Sequence, residues 1–327
     1  MTTTRWAILG PGEIGGWFAR ALPGSAHGVL HAVGSTSPER AAVFAAEHGA
    51  AISGTYAEIL ARDDVDAVYI ATVNTTHTEL ALAALDAGKA VLCEKPVAPT
   101  PAELERILER AEAAGLPFVE AYKHRFGPFA RSLDAAVADP KLTGALHVVA
   151  SFGFAAGQHT GRLFDPELAG GAILDVGGYP VALAVGLAAA AGTDLAELTV
   201  TESWGTIGDT GVDEQARATI TATGFTADVA CAITADLPRS GSVSGATATL
   251  ELTDSFGGRE SSAAGFILHA DGRDIDIELP TVDPFAAEAD AVSLALAEGR
   301  TEASEVPWAH SRAVARLLAE WRAGLDG

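Results

Sequence analysis

Basic residues are scarce in this chain: 21 Lys and Arg stand against 43 Asp and Glu, a formal net charge of −22 over 327 residues. Nucleic acid and anionic membrane both reward basic patches, so this deficit argues against either as a partner. It also sets a demand, because a phosphorylated ligand binds only where a local basic pocket offsets the general repulsion. Cysteine is scarcer still. Cys93 and Cys231 lie far apart and make no disulfide framework, and Cys93 falls inside an apolar, strand-like run. The nine histidines form no cluster with them, so no metal is expected. A G-x-S-x-G nucleophile elbow is missing. No apolar run reaches membrane length, since the Ala-rich segment 181–191 is short and broken by glycine. The start, MTTTRWAILG, enters a strand pattern without the charged and apolar regions of a signal peptide, so a cytoplasmic location is expected.

Glycine is plentiful, and at the N-terminus its placement carries meaning. Trp6-Ala7-Ile8-Leu9 is a short apolar run, followed at once by GPGEIG and a helical pattern through Ile14, Phe18 and Leu22. Gly10, Gly12 and Gly15 match G-x-G-x-x-G, a weak signal alone among 35 glycines. A strand before it and a helix after it give the motif its physical sense. A turn without Cβ atoms lets backbone N–H groups, here also those of Glu13 and Ile14, meet a dinucleotide pyrophosphate at a helix N-terminus.

From Asp66 to Pro96 the chain reads as buried strand, polar loop, Ala-rich helix, second buried strand and a charged Glu94-Lys95-Pro96 step. In open α/β sheets, ligands bind beyond the carboxyl ends of parallel strands. Thr72, Asn74, His77, Glu94 and Lys95 fall at such ends, although His77 also has the plainer reading of a helix cap near Thr76. Apolar strand patterns at 4–9, 28–34, 66–72, 89–93 and 117–121 alternate with helical ones, the signature of parallel βαβ units. Thereafter 144–154 and most of 197–278 are Thr/Val-rich and strand-like. An apolar helix over 177–190 covers one sheet face, and an amphipathic helix from Trp308 to Trp321 packs back on the body. The expected architecture is α/β: a dinucleotide-binding domain at 1–121, then an α+β domain at 122–327 with a large, mostly antiparallel open sheet.

Cofactor choice turns on the end of the second strand. An NAD site usually places a carboxylate there, roughly 20 residues past the glycines. This chain has Gly34-Ser35-Thr36-Ser37, with no carboxylate before Glu39. Ser35, Thr36 and the Arg40 guanidinium suit a 2′-phosphate, which favours NADP over NAD. The competing reading makes Arg40 a solvated first-turn residue.

These segments, taken in order, resemble the glucose-fructose oxidoreductase / inositol dehydrogenase / rhizopine-catabolism oxidoreductase family. The likeness covers most of the chain: GPGEIG, VNTTH where the family usually has PNxxH, AGKAVLCEKP, EAYKHRF at 120–126, GGAILDVGGYP at 170–180, AEADAVSLALAEGR, and PWAHSRAVARLLAEW. It implies a Rossmann N-terminal domain and subunits paired as a homodimer or homotetramer through the C-terminal sheet. It also implies hydride transfer between nicotinamide and a CH-OH or C=O carbon of a sugar, polyol or trans-dihydrodiol.

By the same resemblance Lys95 contacts the reacting oxygen beside the nicotinamide. Tyr179 is the general acid/base, as in the dihydrodiol and aldose branch, and Asp175 holds substrate or the lysine. A phenol ordinarily titrates near about 10, and a neighbouring ammonium is expected to lower that. His124, Arg125, His159 and Arg162 are candidate substrate contacts. A non-catalytic dinucleotide-binding regulator, or an NAD-dependent glycosidase of the same fold, are the alternatives.

Overall fold

The computed structural model describes residues 3–139, 142 and 144–325; the ends of both expected domains, 1–2 and 326–327, lie outside them. The first half alternates as expected: β1 (Thr4–Leu9), α1 (Glu13–Ala21), β2 (Gly28–Gly34), α2 (Pro38–His48), β3 (Ile52–Gly54), α3 (Tyr56–Leu60), β4 (Ala67–Ile70), α4 (His77–Asp86), β5 (Ala90–Glu94), α5 (Pro101–Ala114) and β6 (Phe118–Ala121). The strands order as β3-β2-β1-β4-β5-β6, with every pairing parallel. Helices cover both faces, so β4 and β6 are buried at every position, as parallel sheets require. The helix starts follow from local chemistry. Ser37 accepts from Arg40 N ahead of Pro38, and Thr100 accepts from Glu103 N ahead of Pro101.

Beyond β6 come α6 (Pro128–Val137), β7 (Leu146–Ala155) and α7 (Gly178–Ala190), the last led in by a wide π turn at Ile173–Gly177. The strands β8 (Thr199–Ile207), β9 (Asp213–Ala222), β10 (Phe225–Ala232), β11 (Thr234–Leu237), β12 (Gly241–Ser244), β13 (Ala248–Leu252), β14 (Gly265–Ala270) and β15 (Arg273–Glu278) complete a nine-stranded sheet with β7. Only β7 and β10 run parallel in it; all other pairs are antiparallel. The stretch 166–190 has the length and apolarity of a membrane span, yet 89% of its most apolar window is buried inside the protein. It is apolar all round because α7 is a core helix of the second half.

Two closing helices, α8 (Pro284–Ala297) and α9 (Trp308–Ala323), join the halves. Residues of α8 lie in the first half's core, where Phe285, Ala289 and Val292 pack with Trp6, Phe18 and Tyr69. Trp6 Nε1 donates to Ser293 Oγ at 3.3 Å, and Asp290 accepts from Ser25 Oγ and from the N–H of His27. In α9, Trp308 Nε1 donates to the Phe118 carbonyl at 3.0 Å, while Trp321 Nε1 donates to the Arg217 carbonyl at 3.0 Å. One helix therefore grips both sheets. His27 and His31 have the i, i+4 spacing that would place two metal ligands together on a helix. They fall at and within β2 instead, where strand rise holds such residues about 13 Å apart.

Candidate active site

The carboxyl ends of β1, β2, β4 and β5 open into a cleft of about 920 Å³, roofed by residues of the second half. Its floor begins at the glycine turn. Gly10 has φ +105°, and a Cβ there would sit 2.7 Å from the Ala71 carbonyl oxygen. A Cβ on Gly15 would come within 2.7 Å of the Gly10 carbonyl oxygen, so Gly15 works beneath the turn and does not line the cleft. Gly12, by contrast, has no atom within 4 Å of where its Cβ would be. Gly12, Glu13 and Ile14 border the cleft where α1 begins, and no side chain caps that helix. This is the cradle that a dinucleotide's pyrophosphate needs.

At the end of β2, Arg40 Nη2 lies 3.4 Å from both Ser35 Oγ and Thr36 Oγ1. Ser35 is fully buried and holds the loop by accepting from Ser37 N at 3.2 Å; Thr36 and Arg40 line the cleft. Among the described residues no carboxylate lines the cleft here to take a ribose diol; Glu39 is turned to Ser37 Oγ, at 2.8 Å. The Thr36 hydroxyl and the Arg40 guanidinium fit a 2′-phosphate, whereas Ser35, expected to share that contact, is buried behind them and does not line the cleft. The basic pocket demanded by the chain's acidity is present, since Arg40, Lys95, Lys123, Arg162, Arg239 and Arg259 face three carboxylates, Glu13, Glu94 and Asp175.

The loop after β4 is pinned by side chains. Thr76 Oγ1 donates to the Val73 carbonyl at 2.8 Å and meets Thr72 Oγ1 at 2.7 Å, while Asn74 Nδ2 donates to the Ala169 carbonyl at 3.2 Å. Val73 takes φ −79°, within reach of what proline imposes, so valine keeps the loop's path. His77 opens α4 without capping it by side chain. Its ring nitrogens lie 2.9 Å from the Pro96 carbonyl and 3.2 Å from the Thr72 carbonyl, tying together the two loops that follow β4 and β5. Burial pulls its pKa down, while the two carbonyls pull the other way.

Lys95 reaches across to the second half. Its Nζ donates to the Asp175 carbonyl at 2.5 Å and stands 4.9 Å from the centre of the Tyr179 ring. Glu94 accepts from Tyr69 OH at 2.5 Å and from the Lys95 N–H at 3.3 Å, so the lysine's backbone is fixed from behind. Burial raises the Glu94 carboxyl, and Lys95 only partly opposes it. The Asp175 carboxylate turns to Arg162, at 3.0 Å. Tyr179 stacks on Phe152, with ring centres 4.8 Å apart and 14° between planes.

The structure corrects the expectation that a nearby ammonium lowers the Tyr179 phenol. Burial pushes it well above its ordinary value, and the carboxylates of Glu94 and Asp175 push the same way. Lys95 lies over the ring face with its ammonium committed to a carbonyl, so it does not offset them.

Three candidate substrate residues are not brought to the cleft. Residues 123–125 form one 3-10 turn. Side chains step by a third of a turn in such a helix, so neighbours point to different sides. Lys123 faces the cleft, its Nζ donating to the Phe256 and Gly258 carbonyls at 2.9 Å each, and burial lowers it to about 8. His124 points into the aromatic packing of Tyr122, Tyr179 and Phe256. Arg125 is buried against Asp134, at 2.7 Å. His159 stacks on Phe164 beside Glu214, outside the cleft, whereas Arg162 lines it. Phe152, Phe154, Arg239, Arg259 and Phe285 line the cleft without any motif announcing them.

Comparison with known proteins agrees with this architecture. Residues 4–122 match the model of the oxidoreductase family with an NAD-binding Rossmann fold. Trans-1,2-dihydrobenzene-1,2-diol dehydrogenase from Bos taurus is 39% identical over 180 residues, 54% of this chain and 53% of that protein, so the chain spans about half that relative's length. The Mus musculus protein of the same name is 31% identical over 97% of this chain and 96% of its own. Among solved structures, the 3-ketoreductase KijD10 from Actinomadura kijaniata, in complex with NADP and TDP-benzene, superposes with a TM-score of 0.87. It is 25% identical, over 99% of this chain and 98% of that one. With the glycine turn, the Glu-Lys-Pro step and the Asp-Tyr turn opening on one cleft, the chain belongs to the glucose-fructose oxidoreductase / inositol dehydrogenase / rhizopine-catabolism oxidoreductase family.

Proposed function

We propose that this protein is an NADP-preferring dehydrogenase/reductase acting on a CH-OH or C=O carbon of a sugar, polyol or trans-dihydrodiol. One observation carries the reading: Lys95 Nζ stands 4.9 Å from the Tyr179 ring in the same cleft as the glycine turn. The dihydrodiol dehydrogenase and 3-ketoreductase names of its relatives supply the range of substrates. NADP, when bound, supplies the hydride chemistry. The chain's own part is orientation and proton handling. Tyr179, held neutral by burial, donates its proton to the carbonyl oxygen as that oxygen gains charge. Lys95 stabilises the same oxygen with its ammonium. Phe152 and Phe154 keep the site dry, and Arg162 fixes the Asp175 turn that carries the lysine's anchoring carbonyl.

The test is absorbance of reduced nicotinamide with a panel of aldoses, polyols and dihydrodiols, each with NADP and with NAD. Absence of turnover across the panel, with dinucleotide retained through purification, would favour the regulator or glycosidase alternative. Cofactor preference is checked with Arg40→Ala. A charge-assisted contact to a phosphate is worth about 1.5–3 kcal/mol, so NADP should bind roughly 10- to 100-fold more weakly while NAD changes little. Equal losses for both cofactors would remove Arg40 from 2′-phosphate recognition.

We also place a second copy of the chain on the uncovered face of the nine-stranded sheet. Val149 and Trp204 are exposed on that face. Light scattering should give a dimer or tetramer mass, and Trp204→Glu should shift it toward monomer; a monomeric wild type would refute the pairing.

A further inference from the structure

Beyond the cleft lies a second hollow, a groove of about 1070 Å³ between Trp17, the 253–262 loop, β14 and the edge strand β15. Three residues line both spaces: Arg239, Gly258 and Arg259. The passage from cleft to groove is therefore flanked by two guanidinium groups and a residue with no side chain. Arg259 has an acidic neighbour, since it pairs with Glu13 and leans over the Trp17 ring. Arg239 has none. Among the described residues its guanidinium meets neither a carboxylate nor a hydrogen-bond acceptor, and lies 4.9 Å over the Phe152 ring. Phe152 in turn stacks on Tyr179.

In a chain with two acidic residues for each basic one, carboxylates are readily at hand, and none neutralises this arginine. Arg40, which also lacks a carboxylate partner, reaches from α2 to Ser35 and Thr36 and is accounted for by the cofactor. Arg239 belongs to the other half of the molecule, on the connection between β11 and β12, one aromatic ring removed from Tyr179. The groove walls also carry Asp254, Glu260, Asp276 and Glu278, which disfavour an anion away from the two guanidinium groups.

We infer that the substrate carries an anionic group, a phosphate or carboxylate on the sugar, which sits in the passage and is met by the Arg239 guanidinium. A planar guanidinium presents paired N–H donors that match phosphate and carboxylate oxygens. The groove beyond leaves room for whatever the anion is attached to. This assignment rests on the oxidoreductase reading above and narrows its substrate class.

The test measures binding, so that it stands apart from turnover. NADP-saturated protein is titrated calorimetrically with glucose, glucuronate, glucose 6-phosphate and UDP-glucose. NADP saturation keeps these anions out of the cofactor's own phosphate sites, and failure of NADP itself to bind would sink the oxidoreductase reading. The expected result is that at least one anionic probe binds at least about tenfold more tightly than glucose. The best binder separates a carboxylate, a monophosphate and a diphosphate. That preference should collapse in Arg239→Ala and persist in Arg239→Lys, which keeps the charge. Glucose binding as tightly as every anionic probe, or a preference that survives Arg239→Ala, would overturn the assignment.

Discussion

Lys95→Ala is expected to lower kcat by about 10³-fold, with NADP affinity changed far less. An ammonium aimed at a developing oxyanion in a site closed to water contributes on the scale of an oxyanion-hole donor, roughly 10²–10³ in rate. Here it also holds the two halves of the site together, because its Nζ is bonded to the Asp175 carbonyl four residues before Tyr179. Loss of the lysine removes the charge and loosens the turn that presents the phenol. Lys95→Gln, which keeps a hydrogen-bond donor without the charge, separates the two effects. If the charge dominates, Gln is as slow as Ala; if anchoring dominates, Gln recovers rate over Ala, and Ala alone changes the near-ultraviolet signal of the aromatic cluster around Tyr179. Turnover unchanged in Lys95→Ala would refute the assignment of the site.

Tyr179→Phe should cost about 10²–10³-fold in kcat, the usual worth of a positioned acid or base. The ring remains, so the stack on Phe152 and the packing around it are preserved. The pH dependence gives a sharper check. Because burial raises the phenol, the neutral form predominates at working pH. Carbonyl reduction needs that form and should run nearly flat through neutral pH. Alcohol oxidation needs the phenolate, so its rate should climb steadily as pH rises, with no plateau near neutrality. The asymmetry should vanish in Tyr179→Phe. A bell centred near neutrality in both directions would mean that another group carries the proton.

The parts of this site that the sequence reveals are those tied to backbone motifs. Gly10 and Gly15 are legible because sterics there admit no Cβ. Lys95 is legible because a strand end followed by proline delivers it to the sheet's carboxyl edge. Asp175 and Tyr179 both line the cleft, the aspartate carried by the π turn that leads into α7. Lys123, His124 and Arg125 show where such reasoning stops. They are adjacent in sequence, but a 3-10 turn sends them in different directions, and only the lysine meets the cleft. Arg239 and Arg259 lie beyond sequence reasoning altogether. Arg239 stands in the break between β11 and β12, which follow one another along β7, and Arg259 in the connection between antiparallel β13 and β14, so the arrival of each at the cleft depends on the path of the whole second sheet. The phenol's upward shift was equally hidden, since it depends on how deeply the ring is enclosed.

The placement of α8 bears on how the molecule is made. The last strand of the first sheet ends at Ala121, yet the helix that seals Trp6, Phe18 and Tyr69 begins only at Pro284. On a ribosome adding about 5–20 residues per second, that separation is a delay on the order of 10 to 30 s. During that interval the nascent nucleotide-binding half carries an open apolar flank. The second half must emerge before the first can close, so the two mature as one cooperative body, and chaperones have a defined surface and a defined window in which to act.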